Sequence, residues 1–191
     1  KHSEVFLSEI IGAQPVKGRH INMESLYEYG SRSGFWRLHK LFQEKKIPIT
    51  IFGVGMALEK NPEICKAIKN ANYEVASHGW RWIDYQSVKK SEEKKHMKLA
   101  IKKIKEIFGE RPLGWYTGRC SPNTRDLVFD DGGFLYDSDS YSDDLPYWEY
   151  RGKKKQLIIP YTLDNNDMRF VTNQGFNTGE HFFTYLKDSF N

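Results

Sequence analysis

The chain has 191 residues, of which 39% are hydrophobic, 28% charged and 15% aromatic. This balance is typical of one globular domain with a buried core, and the length fits the usual ~100–200 residues of a single domain. No apolar run approaches the roughly 20 residues that span a bilayer, so the sequence predicts no membrane-spanning helix.

The basic excess is a formal net charge of +4, and much of it lies in the lysine-rich stretch that ends at Gly109. A nucleic-acid patch and the solvated face of an amphipathic helix are the two interpretations. The second is favoured because apolar residues recur here at helical spacing: Met97, Ala100, Ile101, Ile104 and Phe108. We therefore expect no nucleic-acid partner and no membrane partner.

Two cysteines, Cys65 and Cys120, are too few and too scattered for a disulfide framework. Residues 1–14 lack the apolar segment and small-residue cleavage site of a secretory leader. Both observations predict a reducing, cytoplasmic location.

Helical and strand patterns alternate from residue 34 onward. Apolar periodicity predicts helices over 34–46, 61–71, 91–108, 123–133 and 178–190. In the first of these helices, the apolar stripe consists of Phe35, Leu38, Leu41 and Phe42. Runs rich in β-branched and aromatic residues predict strands over 47–54, 73–78, 113–118, 134–139 and 156–164.

Helix boundaries are indicated by residues that favour helix ends. Asn61 before Pro62 is a strong start signal, and Ser91 and Thr178 are the predicted caps of two later helices. Gly109 is the predicted end of the basic helix.

Strands separated by helices of ten or more residues predict βαβ units and a parallel sheet with right-handed connections. Five strands do not close a barrel, although they would form most of one. The pattern begins and ends on a helix, so we expect this chain to be a piece of a larger α/β barrel, held in a single domain over residues 1–191.

Polar and aromatic side chains follow every predicted strand, at the carboxyl end where parallel sheets form active sites. The segments are GVG at 53–55, HGWRW at 78–82, TGRC at 117–120, DSDS at 137–140 and DNND at 164–167. The sequence therefore predicts a site at this edge.

Several blocks together resemble the polysaccharide deacetylase (NodB-homology) superfamily, most of all its metal-independent allantoinase branch. They include MESLYEYGSRSGFWRLHKLF, VASHGWRWI, RPLGWYTGRCSPNTRDLV, GGFLYDSDSYSDDLPYW and IPYTLDNNDMRF. The resemblance implies a distorted, incomplete (β/α) barrel of parallel strands, of the seven-stranded type and truncated at both ends. It also implies hydrolysis of a non-peptide carbon–nitrogen bond.

The two branches imply different chemistry. The allantoinase branch opens the hydantoin ring of allantoin, without a metal, in a homo-oligomeric cytosolic enzyme. The deacetylase branch removes N-acetyl groups from sugar polymers with a divalent metal, held by an acidic residue and by two histidines at i and i+4. Here His78 is followed four residues later by Trp82, whose indole nitrogen cannot ligate zinc. We therefore expect no metal and no cofactor, with zinc only if the deacetylase alternative holds.

The resemblance and the strand-end positions together indicate the candidate site residues. His78, Arg119 and Asp139 are the predicted catalytic residues: His78 as acid/base or oxyanion donor, Arg119 for carbonyl recognition, and Asp139 to orient either one. The predicted substrate contacts are Glu28, Trp80, Trp82, Tyr116 and Asp167.

Each assignment has an alternative. His78 and Arg119 are also consistent with a structural histidine and a strand-end salt bridge. Trp80 and Trp82 are also consistent with core residues, and Asp137 competes with Asp139. A cyclic amide and an N-acetylated sugar are the two substrate classes, and a fragment that binds without turnover is the remaining interpretation.

Overall fold

A computed structural model describes residues 18–191. The expectation that residues 1–14 carry no leader lies outside the described residues. The α-helices are α1 (Ile21–Tyr29), α2 (Phe35–Lys45), α3 (Gly55–Lys60), α4 (Pro62–Asn70), α5 (Lys90–Phe108), α6 (Thr124–Asp131) and α7 (Gly179–Phe190). The β-strands are β1 (Thr50–Gly53), β2 (Glu74–Ser77), β3 (Gly114–Trp115), β4 (Tyr136–Asp137), β5 (Tyr147–Arg151) and β6 (Lys154–Ile158).

The described chain divides into two compact units, residues 30–161 and residues 18–29 together with 162–191. The larger unit holds all six strands, and the smaller one holds α1, α7 and a short 3-10 helix, Asp167–Val171. Within residues 18–191, no helix is both long and apolar enough to cross a membrane. The single domain over residues 1–191 stays a prediction.

The six strands form one sheet in the order β1-β2-β3-β4-β6-β5. Neighbours among β1, β2, β3, β4 and β6 pair in parallel, which confirms the α/β class and the parallel sheet. Strand β5 pairs antiparallel with β6 at the edge of the sheet, and the sequence interpretation missed it. A short antiparallel edge strand joined by a tight hairpin needs no helical connection, so the helix–strand alternation did not reveal it.

Helix α5 supplies the centre of the core. Its residues Met97 and Ala100 pack with Trp115 and Leu127 in one buried cluster, and Ile104 packs with Leu58, Cys65 and Ile68 in a second. The predicted apolar face of the basic helix is therefore confirmed. The lysines lie on the opposite, solvated side, as the helical period requires.

Helix α2 forms where it was predicted, but its apolar stripe is only partly covered. Leu38 and Leu41 are 54% and 44% exposed in the described chain. Phe35 packs against the second cluster, and the His39 ring stacks on Phe35 with 5.6 Å between centroids. His39 Nδ1 also lies 3.2 Å from the Tyr73 hydroxyl, so the contact stripe runs through Phe35 and His39.

Three of the four predicted boundary residues lie at the helix ends where they were expected. Thr178 Oγ1 accepts a hydrogen bond from His181 N at 3.2 Å, and Gly109 ends α5 with a φ of +92° that favours glycine. Helix α4 begins at Pro62 with Asn61 as its N-cap residue, as predicted, but the Asn61 side chain makes no capping hydrogen bond, and its Nδ2 donates backward to the Ala57 carbonyl at 2.7 Å. Ser91 does not cap α5 because that helix begins one residue earlier, at Lys90.

Candidate active site

The parallel register brings four strand ends to one edge of the sheet. Ser77 pairs with Trp115, Trp115 with Asp137, and Asp137 with Ile158. The residues that follow these four therefore leave the sheet at the same level. They include His78 after β2 and Tyr116 after β3.

His78 is fixed by its backbone and by its ring. Its amide donates to the Gly53 carbonyl at 2.9 Å, and its Nδ1 lies 2.6 Å from the Tyr116 carbonyl oxygen. Because a carbonyl oxygen only accepts, Nδ1 carries the proton, and in the neutral ring Nε2 keeps its lone pair. Burial lowers the pKa of His78, which favours this neutral form.

Aromatic rings surround His78. The His78 ring lies parallel to the Tyr116 ring, with 5.2 Å between centroids and 3° between planes. Tyr161 also stacks on Tyr116, at 4.4 Å and 11°, and the Tyr116 hydroxyl lies 3.2 Å from the Tyr141 hydroxyl. Tyr116 is only 8% exposed, so the structure places it as a wall that supports His78.

Trp80 and Trp82, the two tryptophans of the HGWRW segment, differ in their surroundings. The Arg119 guanidinium carbon lies 4.5 Å from the centre of the Trp82 ring, a cation–π arrangement. The Trp82 ring is also 6.5 Å from the His78 ring. Trp80 packs against the core cluster of α5, which supports its core interpretation. The structure thus brings Trp82, Arg119 and His78 together and turns Trp80 toward the core.

Asp139 organises the loop that follows β3. Its carboxylate accepts Thr117 N through both oxygens, at 2.8 and 2.9 Å, and Gly118 N at 2.8 Å. Gly118 has a φ of +73°, a conformation that favours glycine and that lets two successive amides converge on one carboxylate. Besides burial, which lowers the pKa of His78, the charge of Asp139 raises it and that of Arg119 lowers it, so both groups act on His78.

Asp137 has a different environment from Asp139, although the sequence left the two in competition. It is 2% exposed, and its Oδ1 accepts Asp139 N at 2.9 Å. Burial and the neighbouring Asp139 charge raise the pKa of Asp137 to about 7. The structure therefore assigns the loop contacts to Asp139 and leaves Asp137 as the buried support behind it.

Cys120 lies next to the Asp139 carboxylate, but its thiol is not activated as a nucleophile. Burial, followed by the charge of Asp139, raises the pKa of its thiol, so the group remains protonated near neutral pH.

Glu28 and Asp167 belong to the smaller unit, Glu28 on α1 and Asp167 at the start of the 3-10 helix. Their role as substrate contacts stays a prediction.

Tyr141 and Tyr161 contribute to the site but were not among the predicted residues. Tyr161 N donates to the Ser140 carbonyl at 2.8 Å, which ties the end of β6 to the loop after β4. Tyr161 was missed because the predicted strand ran over 156–164 and contained it, whereas the observed strand β6 ends at Ile158. Tyr141 directly follows the DSDS segment at 137–140, one residue beyond the segment that was selected.

The donor set at this edge does not fit a divalent metal. Across residues 18–191, no group of three His, Cys, Asp or Glu side chains is arranged to hold an ion. His78 is one nitrogen ligand, and Trp82 stands where a second would be needed. The chemistry of the described residues is accordingly that of a histidine, an arginine and hydrogen-bonding groups.

The chain is similar in sequence or in structure to several proteins. The chain is 41% identical to the "Putative polysaccharide deacetylase" of Schizosaccharomyces pombe, over 98% of this chain and 64% of that protein. The crystal structure of a probable polysaccharide deacetylase from Pseudomonas aeruginosa PAO1 superposes with a TM-score of 0.93 at 57% identity. The crystal structure of Puue allantoinase gives the same TM-score of 0.93 and the same 57% identity.

The alignments with the two crystal structures cover 100% of this chain and 64% of theirs, so the chain spans just under two thirds of these relatives. The model of the family described as polysaccharide deacetylase matches residues 22–128. This match covers more than half of the chain, and the fold is that of the NodB-like (β/α) barrels. The chain belongs to the polysaccharide deacetylase family.

Proposed function

We propose that this chain forms the core of a metal-independent hydrolase that opens a cyclic amide, with allantoin as the substrate and allantoate as the product. The observation that carries this proposal is the contact between Trp82 and Arg119, 4.5 Å apart, at the position where a second metal-binding histidine would stand. The 57% identity with Puue allantoinase supports the choice of substrate.

His78 is the proposed general base. Its Nδ1–H is engaged by the Tyr116 carbonyl, so Nε2 is the nitrogen that takes a proton from water. The water oxygen bonds to the ring carbonyl carbon, and the carbonyl electron pair moves to its oxygen. When the carbon–nitrogen bond breaks, the proton held by His78 passes to the leaving nitrogen, and the sum is addition of one water.

Arg119 is the proposed partner of the oxygen that becomes negative. A guanidinium presents several N–H donors in one plane, which suits the carbonyl groups of a hydantoin or ureido group. Stacking on Trp82 fixes that plane before the substrate arrives, and this preorganisation is what stabilises a developing oxyanion. Asp139 holds the loop from which Arg119 projects.

The second candidate is N-deacetylation of a sugar polymer. The names of the Schizosaccharomyces pombe and Pseudomonas aeruginosa relatives favour it. In that family branch a divalent metal activates the water, so this candidate needs ligands from outside the described residues.

The test is a comparison of two substrates in the whole protein. After exhaustive treatment with a chelator, we expect allantoin to be converted to allantoate at an unchanged rate, and no acetate to be released from chitooligosaccharides. Acetate release that a chelator abolishes and zinc restores would establish the deacetylase and refute the allantoinase.

The matched variants are His78→Ala and His39→Ala. His39 is a partly exposed histidine on α2 that takes no part in the proposed chemistry. We expect His78→Ala to lose turnover by at least ~100-fold, the usual contribution of a general base, while His39→Ala keeps it. Equal rates in the two variants would remove His78 from the mechanism.

A further inference from the structure

Glu93 is a buried charge that the proposed mechanism does not use. It lies on α5 and is 4% exposed. Its Oε2 accepts the Ser121 hydroxyl at 2.5 Å, and its Oε1 accepts the Thr124 hydroxyl. A buried carboxylate is costly unless hydrogen bonds compensate it, and here one oxygen accepts from the loop before α6 and the other from the first residue of α6.

The two hydroxyls pass this contact on to the backbone of the loop. Ser121 N donates to Thr124 Oγ1 at 2.8 Å, and Asn123 N donates to Ser121 Oγ at 2.9 Å. Each hydroxyl thus accepts from a loop amide and donates to Glu93. Removing the carboxylate leaves two buried hydroxyls without an acceptor, which loosens the entry into α6.

The loop between β3 and α6 carries Arg119, and it is held at three places. Asp139 accepts the amides of Thr117 and Gly118 at its start. Tyr85 N donates to the Arg119 carbonyl at 3.0 Å in its middle. Near its end, Glu93 accepts the hydroxyl of Ser121, which lies two residues after Arg119 in the chain.

We propose that Glu93 is a positioning residue that acts through Arg119. By fixing the end of the loop, it keeps the Arg119 guanidinium over the Trp82 ring, in the place where the guanidinium meets the substrate. The part that concerns turnover rests on the proposed function of Arg119, whereas the placement of the guanidinium does not. The competing view is that Glu93 only stabilises the packing of α5 against α6.

The first experiment measures the placement directly and needs no substrate. A guanidinium over an indole face is shielded by the ring current, so we expect the Arg119 Nε–H proton to resonate upfield of the other arginines. The resonance is assigned by its loss in Arg119→Lys. In Glu93→Gln it moves downfield toward the other arginines, and an unchanged resonance would overturn the proposal.

Ser121→Ala and Glu92→Gln are the companion variants. Ser121→Ala deletes one hydroxyl and one bond to Glu93, and it remains informative if Glu93→Gln fails to fold. It should shift the Arg119 resonance in the same direction. Glu92 is the exposed neighbour of Glu93 on α5, where it pairs with Lys95 and His96, so Glu92→Gln should leave the resonance in place.

The second experiment is a double-mutant cycle in kcat/KM with the substrate that the whole protein turns over. We expect Glu93→Gln to lower kcat/KM by up to ~100-fold, a loss that a misplacement of about 1 Å can cause. Added to Arg119→Lys, it should cost less than ~3-fold more, because its effect passes through Arg119. Two losses that multiply would overturn the proposal and leave Glu93 a packing residue.

Discussion

Asp137→Asn tests whether the carboxyl behind the site loop is protonated in the folded protein. Asp137 is 2% exposed, and burial and the Asp139 charge raise its pKa from 3.8 to about 7. The folded state therefore keeps this proton up to about pH 7, whereas the unfolded state releases it near pH 4. The stability due to the proton is complete below the unfolded pKa and is lost as the pH rises through the folded one.

The size of the change in unfolding free energy follows from the interval between the folded and unfolded pKa values. Between pH 5 and pH 8 the folded state holds the proton over roughly two pH units in which the unfolded state has lost it. At ~1.4 kcal/mol per pH unit this lowers the free energy of unfolding by about 3 kcal/mol. Asparagine has no such proton but keeps an Oδ1 that accepts Asp139 N. Relative to wild type, Asp137→Asn should therefore gain about 3 kcal/mol as the pH is raised.

The assay is urea unfolding of both proteins at several pH values between 5 and 8, at constant ionic strength. The quantity compared is the difference between the two free energies of unfolding. Asp144→Asn, which removes an exposed carboxylate, is the control and should give a difference that does not change with pH. A constant difference for Asp137→Asn would refute the protonated carboxyl.

Two further predictions concern the site and its sheet. In the pH profile of kcat/KM, the midpoint of the acid limb should lie below the ordinary imidazole pKa of 6.5, because burial lowers the pKa of His78. The same limb should persist in Asp137→Asn. A midpoint at or above 6.5 would contradict the assignment of His78 as the base. Gly114→Ala should lower the free energy of unfolding by about 1–3 kcal/mol in thermal or urea unfolding, since its Cβ would lie 2.0 Å from the Tyr136 ring. Gly30→Ala, which has open space, should lose none.

The parallel strands and their helices could be predicted because their signals are local. Apolar residues recur with period two in half-buried strands and with period 3.6 in half-buried helices, and both patterns can be read without knowing the neighbouring elements. Helix α5 shows this, since Met97, Ala100 and Ile104 are buried as their spacing requires. The exposed Leu38 and Leu41 of α2 show the limit: periodicity finds a stripe, but the neighbouring elements decide which stripe is covered.

In the candidate site, too, local signals predicted the residues, whereas the tertiary structure decided their contacts. His78, Arg119 and Asp139 were predicted because they follow strands, and strand order makes those ends converge whatever the side chains are. The role of each neighbour could not be predicted, because Trp80 and Trp82 are two residues apart and still meet different partners, the core and Arg119.

The sequence by itself determined the fold family, the five parallel strands and the sheet edge at which the candidate site lies, because these depend on local periodicity and on short motifs. Only the tertiary structure decided that Arg119 lies over Trp82, that the Asp139 carboxylate binds two loop amides, and that Glu93 is buried against Ser121. Glu93 and Ser121 are 28 residues apart in the chain. A charged residue on a lysine-rich helix predicts a solvated face, and only the packing of α5 against a distant loop makes its burial favourable.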